Sequence, residues 1–338
     1  MITYFVHALN RNPARKLMAS AGRHLPFLRV ITYQEAFRRL SFPAGTLIFS
    51  DFEFLDGFGM TAAAAIAQAA RRADPQTRIL NDPCAACERY ALLRRLNRAG
   101  LNPVEVTRLE GDDRPSRYPV FLRLEDGCLG AETGLIRSED DFDAALQAMR
   151  AAGRPLKRRI AVSFETAADS DGLFRKYGAF RIGDAIIPQH ILRSSEWVVK
   201  SSISRSSPEF SAEELAFVRD NPHRDALLEA TDLAGLQFGR IDYGLHEGRV
   251  VIFEVNPNPT FPNFGKTSDT RSERRDLILS RVVAAMRAID DGKARSSRLQ
   301  FVPPAEISRY VQIDRWNGMS RRLWDLRAML RRREQKND

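Results

Sequence analysis

Phe238-Gly239-Arg240-Ile241-Asp242-Tyr243, followed after Gly248 by Val251-Ile252-Phe253-Glu254-Val255-Asn256-Pro257-Asn258-Pro259, reads as two apolar-alternating strands around a turn. Side chains alternate faces along a strand, so Arg240 and Asp242 share one face, as do Glu254 and Asn256. Positions 240 and 256, and 242 and 254, are symmetric about Gly248. A hairpin in that register sets Asp242 opposite Glu254 and Arg240 opposite Asn256. The even register calls for an odd-length loop centred on Gly248. A two-residue turn without a bulge would send the carboxylates to opposite faces. In the expected register two carboxylates, an amide oxygen and a guanidinium gather on one patch. Facing carboxylates repel unless a cation neutralises them, and Mg²⁺ with oxygen ligands would do so. An exposed hairpin with ordinary polar alternation carries the same pattern.

Upstream, residues 1–80 alternate apolar runs (3–7, 27–31, 46–49, 78–80) with helix-like stretches (13–25, 33–40, 60–72), which favours a small parallel α/β unit. The acidic turn Asp51-Phe52-Glu53-Phe54-Leu55-Asp56-Gly57 follows a strand, where such units often place ligand residues; solvated acids in a loop are the plainer expectation. Asn81-Asp82-Pro83 punctuates the chain, and a helix follows to Asn97, closed by Ala99-Gly100. Residues 118–124 read as a strand, followed by a turn with Gly127, Gly130 and Gly134 and a short strand at 135–137. Ser138 and Asp141 have capping-box spacing ahead of the stripe Phe142, Ala145, Leu146, Met149. Further strands are expected at 160–164, 179–182, 185–191 and 196–200, with helices at 211–235 and 274–289.

An Arg-x-Asp strand, a turn and a Phe-Glu-Val-Asn-Pro strand resemble the ATP-grasp superfamily, specifically its carboxylate–amine ligases of the D-alanine–D-alanine ligase and glutamate-ligase type. The resemblance implies that Asp242, Glu254 and Asn256 hold Mg²⁺, or Mn²⁺ in its place, on the ATP phosphates. It makes Arg240 the clamp on the transferring phosphoryl group. Two upstream blocks extend it. Asn81-Asp82-Pro83 with Glu88-Arg89-Tyr90 and Ala99-Gly100-Leu101 is similar to the family's helix bearing an ATP-binding lysine, with Arg89 in the lysine's place. Tyr118-Pro119-Val120-Phe121-Leu122-Arg123 and the glycine turn resemble the lid strand and phosphate loop, with Arg123 where lysine is usual. Both departures keep the charge but replace a compact ammonium with a planar fork. The adenine-contacting hinge falls near 162–165, with Glu165 the candidate for the ribose. Lys176 and Lys200 lie on or beside strands facing the cleft, as phosphate contacts or as solvated side chains. His190 is expected to make ordinary hydrogen bonds. The loop at 257–264 is the natural wall of an acceptor pocket.

The implied fold class is α/β and α+β: an ATP-grasp fold with a small N-terminal parallel α/β domain (1–80), a lid subdomain (81–160), a catalytic subdomain (161–290) and a linker with a basic helix (291–338). The implied reaction activates a small-molecule or peptide carboxylate as an acyl phosphate and joins it to an amine. Residue chemistry by itself supports Mg-ATP phosphoryl transfer. A kinase acting on an alcohol, and an ATP-binding regulatory or scaffold protein without turnover, are the rivals.

Composition fits this frame. The 338 residues exceed the roughly 250–300 at which one core stops growing, so at least two packed units are expected. With 43% apolar and 28% charged residues, the chain falls in the globular range. The start lacks a signal-peptide pattern, and the small-apolar run 61–70 is far short of the ~20 residues of a membrane span, so no membrane role is expected and the cytoplasm is the default. Cys84-x-x-Cys87 has no companion pair, and Cys84, Cys87 and Cys128 read as free thiols. From residue 295 onward eleven Lys/Arg face five Asp/Glu, so most of the +9 net charge belongs to the tail. Leu323, Trp324, Leu326 and Leu330 lie near one helical face there, which reads as a docked helix with solvated arginines; a nucleic-acid partner is not expected.

Overall fold

β1 (Ile2–Val6) is buried along its whole length, as an apolar strand covered on both faces must be. The computed structural model describes residues 1–39, 41–126, 130–262, 272–292, 298–302, 305, 307–309, 311–312, 316, 319–320 and 323. The N-terminal elements continue with α1 (Asn12–Ala21), β2 (Leu28–Thr32), α2 (Tyr33–Ala36), β3 (Ser41–Pro43), β4 (Thr46–Phe49), α3 (Gly57–Ala73) and β5 (Ile79–Leu80). β2, β1, β4 and β5 form a parallel sheet in that order, as the strand–helix alternation predicts. Ile2, Tyr4 and Val6 point into a core shared with α1 and with Phe180 and Phe238 of a second sheet. Phe5, Leu47 and Phe49 point the other way, under α3.

The helix expected directly after Pro83 begins later, as α4 (Arg89–Arg98). The preceding residues serve a different purpose. The Asn81 side chain donates to Phe49 O (3.0 Å) and Phe238 O (2.7 Å) and accepts from Gln237 N and Phe238 N, pinning the parallel sheet to the next one. Beyond α4, β6 (Val106–Arg108), β7 (Val120–Leu124) and β8 (Arg159–Ser163) form an antiparallel sheet ordered β6-β8-β7. Its outer face is covered by α5 (Glu139–Ala151), whose N-terminus is capped by Ser138 accepting from Asp141 N. The strand expected at 135–137 shrinks to a single bridge between Ile136 and Val120.

The second large sheet is antiparallel, ordered β10-β9-β11-β12: β9 (Phe174–Ile182), β10 (Ala185–Ser194), β11 (Phe238–His246) and β12 (Arg249–Asn256). The expected helix 211–235 is broken at Asn221, which is left-handed with φ 49°, into α6 (Pro208–Asp220) and α7 (Arg224–Leu233). α8 (Ser272–Ala288) packs across the same sheet. Residues 196–200 leave the sheet instead of forming a strand, and Trp197 packs tilted against Phe121 of β7 and edge-on against Phe164.

The hairpin register is the one expected: Arg240 pairs with Asn256 and Asp242 with Glu254. The turn differs. It has two residues, Glu247 (φ 50°) and Gly248 (φ 74°), both in the positive-φ region that primed hairpin turns need. Such a turn alone would give the odd register. A bulge at Phe253 absorbs one residue, so the pairing passes from Tyr243 with Ile252 to Asp242 with Glu254 and both carboxylates return to one face.

At the C-terminal side, β13 (Arg298–Gln300) pairs antiparallel with β3, and Phe301 packs against Phe42 in the core under α3. Most of the predicted basic helix at 321–333 lies outside the described residues; Leu323 is described and is exposed. Gly127 and Cys128 lie outside them too, whereas Cys84 is an exposed and Cys87 a buried free thiol. Among the described residues no helix is long and apolar enough to cross a membrane.

Candidate functional site

A cavity of about 550 Å³ opens between the β6-β8-β7 sheet and the β10-β9-β11-β12 sheet. Of the residues singled out from the sequence, Arg89, Arg123, Glu165, Lys200, Arg240, Asp242 and Glu254 all line it. They come from α4, β7, the segment after β8, the segment after β10, and the β11–β12 hairpin, so folding gathers positions spread over more than 160 residues.

Asp242 is 2% exposed and receives Arg240 Nε on Oδ1 (2.7 Å) and both Arg240 Nη2 (3.2 Å) and Lys176 Nζ (3.1 Å) on Oδ2. Burial pushes its carboxyl up, but Arg240 and Lys176 more than reverse this and hold it below the usual aspartate range. Glu254 Oε2 accepts from Arg89 Nη2 and, at 3.5 Å, from Arg123 Nη2. Arg89 Nη1 also donates to Glu125 O at 2.5 Å, tying α4 to the end of β7. The facing carboxylates are thus neutralised by protein cations, and the repulsion expected from the hairpin alone is absent. Asn256 opposes Arg240 as expected, but it is not part of the cavity lining and its Oδ1 accepts from Asn258 N (2.9 Å).

At the other end the lining is apolar: Val104, Val162 and a ring cluster of Phe121, Phe164, Phe174 and Trp197, with centroids 5.2–6.0 Å apart. Glu165 sits at this end, within 3.2 Å of Arg117 Nη2. Lys200 borders the glycine turn, where a Cβ on Gly130 would lie 3.8 Å from its Nζ. Sequence patterns left Lys176 undecided and gave no sign of Trp197. Lys176 could have been found from its place on the face of β9 two residues before Gly178; a lone Trp in an irregular segment carries no signal.

Two expectations are corrected. Of the acids after β4, Asp56 is exposed as expected, but Asp51 is not solvated. Asp51 is fully buried, left-handed with φ 54°, and accepts from His7 N (2.7 Å), Asn10 Nδ2 (2.8 Å) and Asn258 Nδ2 (3.0 Å). Burial outweighs those hydrogen bonds and lifts its pKa to about 6. Asn258 also accepts from Tyr4 Oη (2.8 Å), so the 257–262 part of the loop is fixed to the N-terminal sheet; 263–264 lie outside the described residues. His190 does not make ordinary hydrogen bonds either. Its Nε2 is closed off from solvent with no partner among the described residues. Burial, with Arg240, Lys176 and Arg274 adding to it against Asp242, lowers its pKa to about 3, so the imidazole is neutral.

The donors at the polar end are hard oxygens. Among the described residues no three His, Cys, Asp or Glu side chains form a self-contained cage. Two carboxylates in a cavity also lined by cations suit Mg²⁺, which takes one or two protein carboxylates and completes its shell with phosphate and water. Asp242 and Glu254 fit that role.

No protein-family model and no curated protein matches the chain. Among solved structures it is similar to D-alanine–D-alanine ligase from Bacillus anthracis complexed with ATP (9% identity, 85% of this chain and 98% of that one, TM-score 0.42). It is also similar to a RimK domain ATP-grasp protein from Sphaerobacter thermophilus (16%, 86% and 99%, TM-score 0.44). A third is the ATP-grasp ligase PsnB complexed with a phosphomimetic variant of its minimal precursor, Mg and ADP (15%, 83% and 96%, TM-score 0.47). These are distant likenesses, and they leave the chemistry to the chain's own residues.

Proposed function

We propose that the chain is an ATP-grasp enzyme that binds Mg-ATP between the two antiparallel sheets, transfers the γ-phosphoryl group to a carboxylate with loss of ADP, and joins the resulting acyl phosphate to an amine with release of inorganic phosphate. The observation that carries this reading is the polarity of the cavity: an aromatic end beside Glu165, and an end where Arg89, Arg123, Lys176 and Arg240 surround two carboxylates. A purine ring needs the first and a triphosphate the second. The volume, about 550 Å³, lies within the usual ligand-pocket range of about 300–1,000 Å³.

In this reading Phe121, Phe164 and Trp197 enclose the base and exclude water, and Glu165 meets the ribose. Arg89, Arg123 and Lys200 bind phosphate oxygens, and Arg240 stabilises the charge that spreads as the γ-phosphoryl group moves to the substrate carboxylate. Asp242 and Glu254 would hold Mg²⁺, which supplies Lewis-acid neutralisation of the phosphates when bound; Asn256, expected as a third ligand, lies outside the cavity lining. Substrate arrival shifts Arg89 and Arg123 from Glu254 to phosphate, so each cation has a carboxylate partner before ATP binds and a phosphate partner after.

The test is ADP release from Mg-ATP with panels of acids, with and without amines, plus hydroxylamine trapping. A trapped hydroxamate supports the ligase. A stable phosphorylated alcohol would replace it with the kinase, and nucleotide binding with no ADP under any condition would replace it with a regulatory binder.

A further inference from the structure

The register aligns His190 of β10, Gly178 of β9, Asp242 of β11 and Glu254 of β12 in one row across the sheet, on the cavity face. Two departures from regular structure place the imidazole there. The pairing of β10 with β9 slips between Pro188 and His190, so Gln189 is absorbed as a bulge and His190 and Leu192 turn to the face that would otherwise carry Gln189 and Ile191. Gly178, the neighbour in the row, has no side chain. A Cβ there would come within 2.7 Å of both Cε1 and Nε2 of His190, so the ring lies over the space the glycine leaves, towards Asp242. Nε2 ends shielded and without a hydrogen-bond partner among the described residues, in a cavity lined also by Lys176, Arg240 and Asp242.

A buried imidazole nitrogen without a partner costs free energy, which a bound ligand atom can recover. The cations around it favour an anionic oxygen over a metal ion as that atom. We propose that His190 Nε2–H donates a hydrogen bond to a terminal phosphoryl oxygen of the bound nucleotide, and that Gly178 is glycine to let the ring reach it. The contact adds direction to a site whose charge comes from Arg240 and Lys176. This rests on the Mg-ATP reading above.

The contact distinguishes a nucleoside triphosphate from a diphosphate, so affinities measured by calorimetry in Mg²⁺ for AMP-PNP and for ADP test it without knowing the acceptor. His190→Ala is expected to weaken AMP-PNP about tenfold while ADP stays within about twofold. Gly178→Ala, which displaces the ring but keeps it, is expected to act in the same direction. His190→Gln, whose amide can reach the Nε2 position, is expected to recover most of the loss. Melting curves check that each variant is folded, and if Gly178→Ala is not, the two His190 variants carry the test. An unchanged ratio of the two affinities in His190→Ala, or an equal weakening of both nucleotides, overturns the proposal. Wild-type protein that binds neither nucleotide overturns the Mg-ATP reading and this contact with it.

Discussion

Asp242 and Glu254 face each other across the β11–β12 hairpin, yet each carboxylate is held by two cations of its own. Arg240 and Lys176 bond Asp242, and Arg89 and Arg123 bond Glu254. The pair therefore behaves as the centre of an ion network whose cations come from α4, β7, β9 and β11. Its stability consequence is opposite to that of two bare carboxylates.

Asp242→Asn is expected to lower the stability of nucleotide-free protein by roughly 2–4 kcal/mol, because it leaves Arg240 and Lys176 in a buried site without their counter-charge. Urea denaturation measures this, and a gain in stability would mean that repulsion dominates after all. Mg-dependent turnover should be lost in the same variant. The pH dependence has a definite sign. The folded pKa of Asp242 lies below the ordinary value, so its contribution is present above about pH 4 and disappears as pH falls through the folded pKa.

Glu53 should show the reverse dependence. Burial, with help from Asp51 and Glu88, raises its pKa to about 7 although its own backbone N–H and Arg89 oppose the shift. With an unfolded value of about 4.3, the native state binds the extra proton, so the stabilisation is complete below about pH 4 and is lost as pH rises through 7. Glu53→Gln should melt above wild type at pH 8 and level with it at about pH 4. Scanning calorimetry at the two pH values decides this, and equal shifts at both would assign Glu53 an ordinary pKa.

Arg89→Lys tests the arginine that stands where the resemblance expects lysine. The planar fork bonds both Glu254 and the Glu125 carbonyl, and an ammonium cannot span them in the same geometry. A loss of roughly 1–2 kcal/mol in stability is expected, with phosphate binding retained within about tenfold because the charge remains. Denaturation and nucleotide titration read the two effects separately.

Arg240→Lys is expected to reduce turnover by about 10²–10³, the usual effect of removing one transition-state donor, while the affinity for Mg-ADP changes much less. An equal loss in both quantities would make Arg240 a ground-state binding residue.

Phe301→Ala should cost about 3–5 kcal/mol, since its ring is 1% exposed and packs on Phe42. Nucleotide affinity should not change, because Phe301 lies under α3, away from the cavity. Truncation near Ser297 removes Leu299 and Phe301 together and should unfold the N-terminal sheet's second core, whatever the basic tail does.

The sequence by itself determined the local pairings. The alternation in 238–243 and 254–256 fixes which side chains share a face, and the expected pairing of Asp242 with Glu254 is found, although a bulge at Phe253 rather than an odd loop centred on Gly248 produces it. Capping at Ser138, the close of α4 at Ala99-Gly100 and the strand–helix rhythm of the first 80 residues were legible for the same reason: each depends on neighbours within a few positions. Bulges were not. One-residue slips at Phe253 and Gln189 reverse the faces that a regular strand would give, and no composition cue announces them. Only the tertiary structure decided the electrostatics. Arg240 lies two residues from Asp242, but the other groups that decide whether Asp242 and Glu254 repel and whether Asp51 is solvated lie 41 to 207 residues away in the chain. A charge or a buried donor responds to distance and desolvation in three dimensions, whereas a strand's face is set by its own backbone.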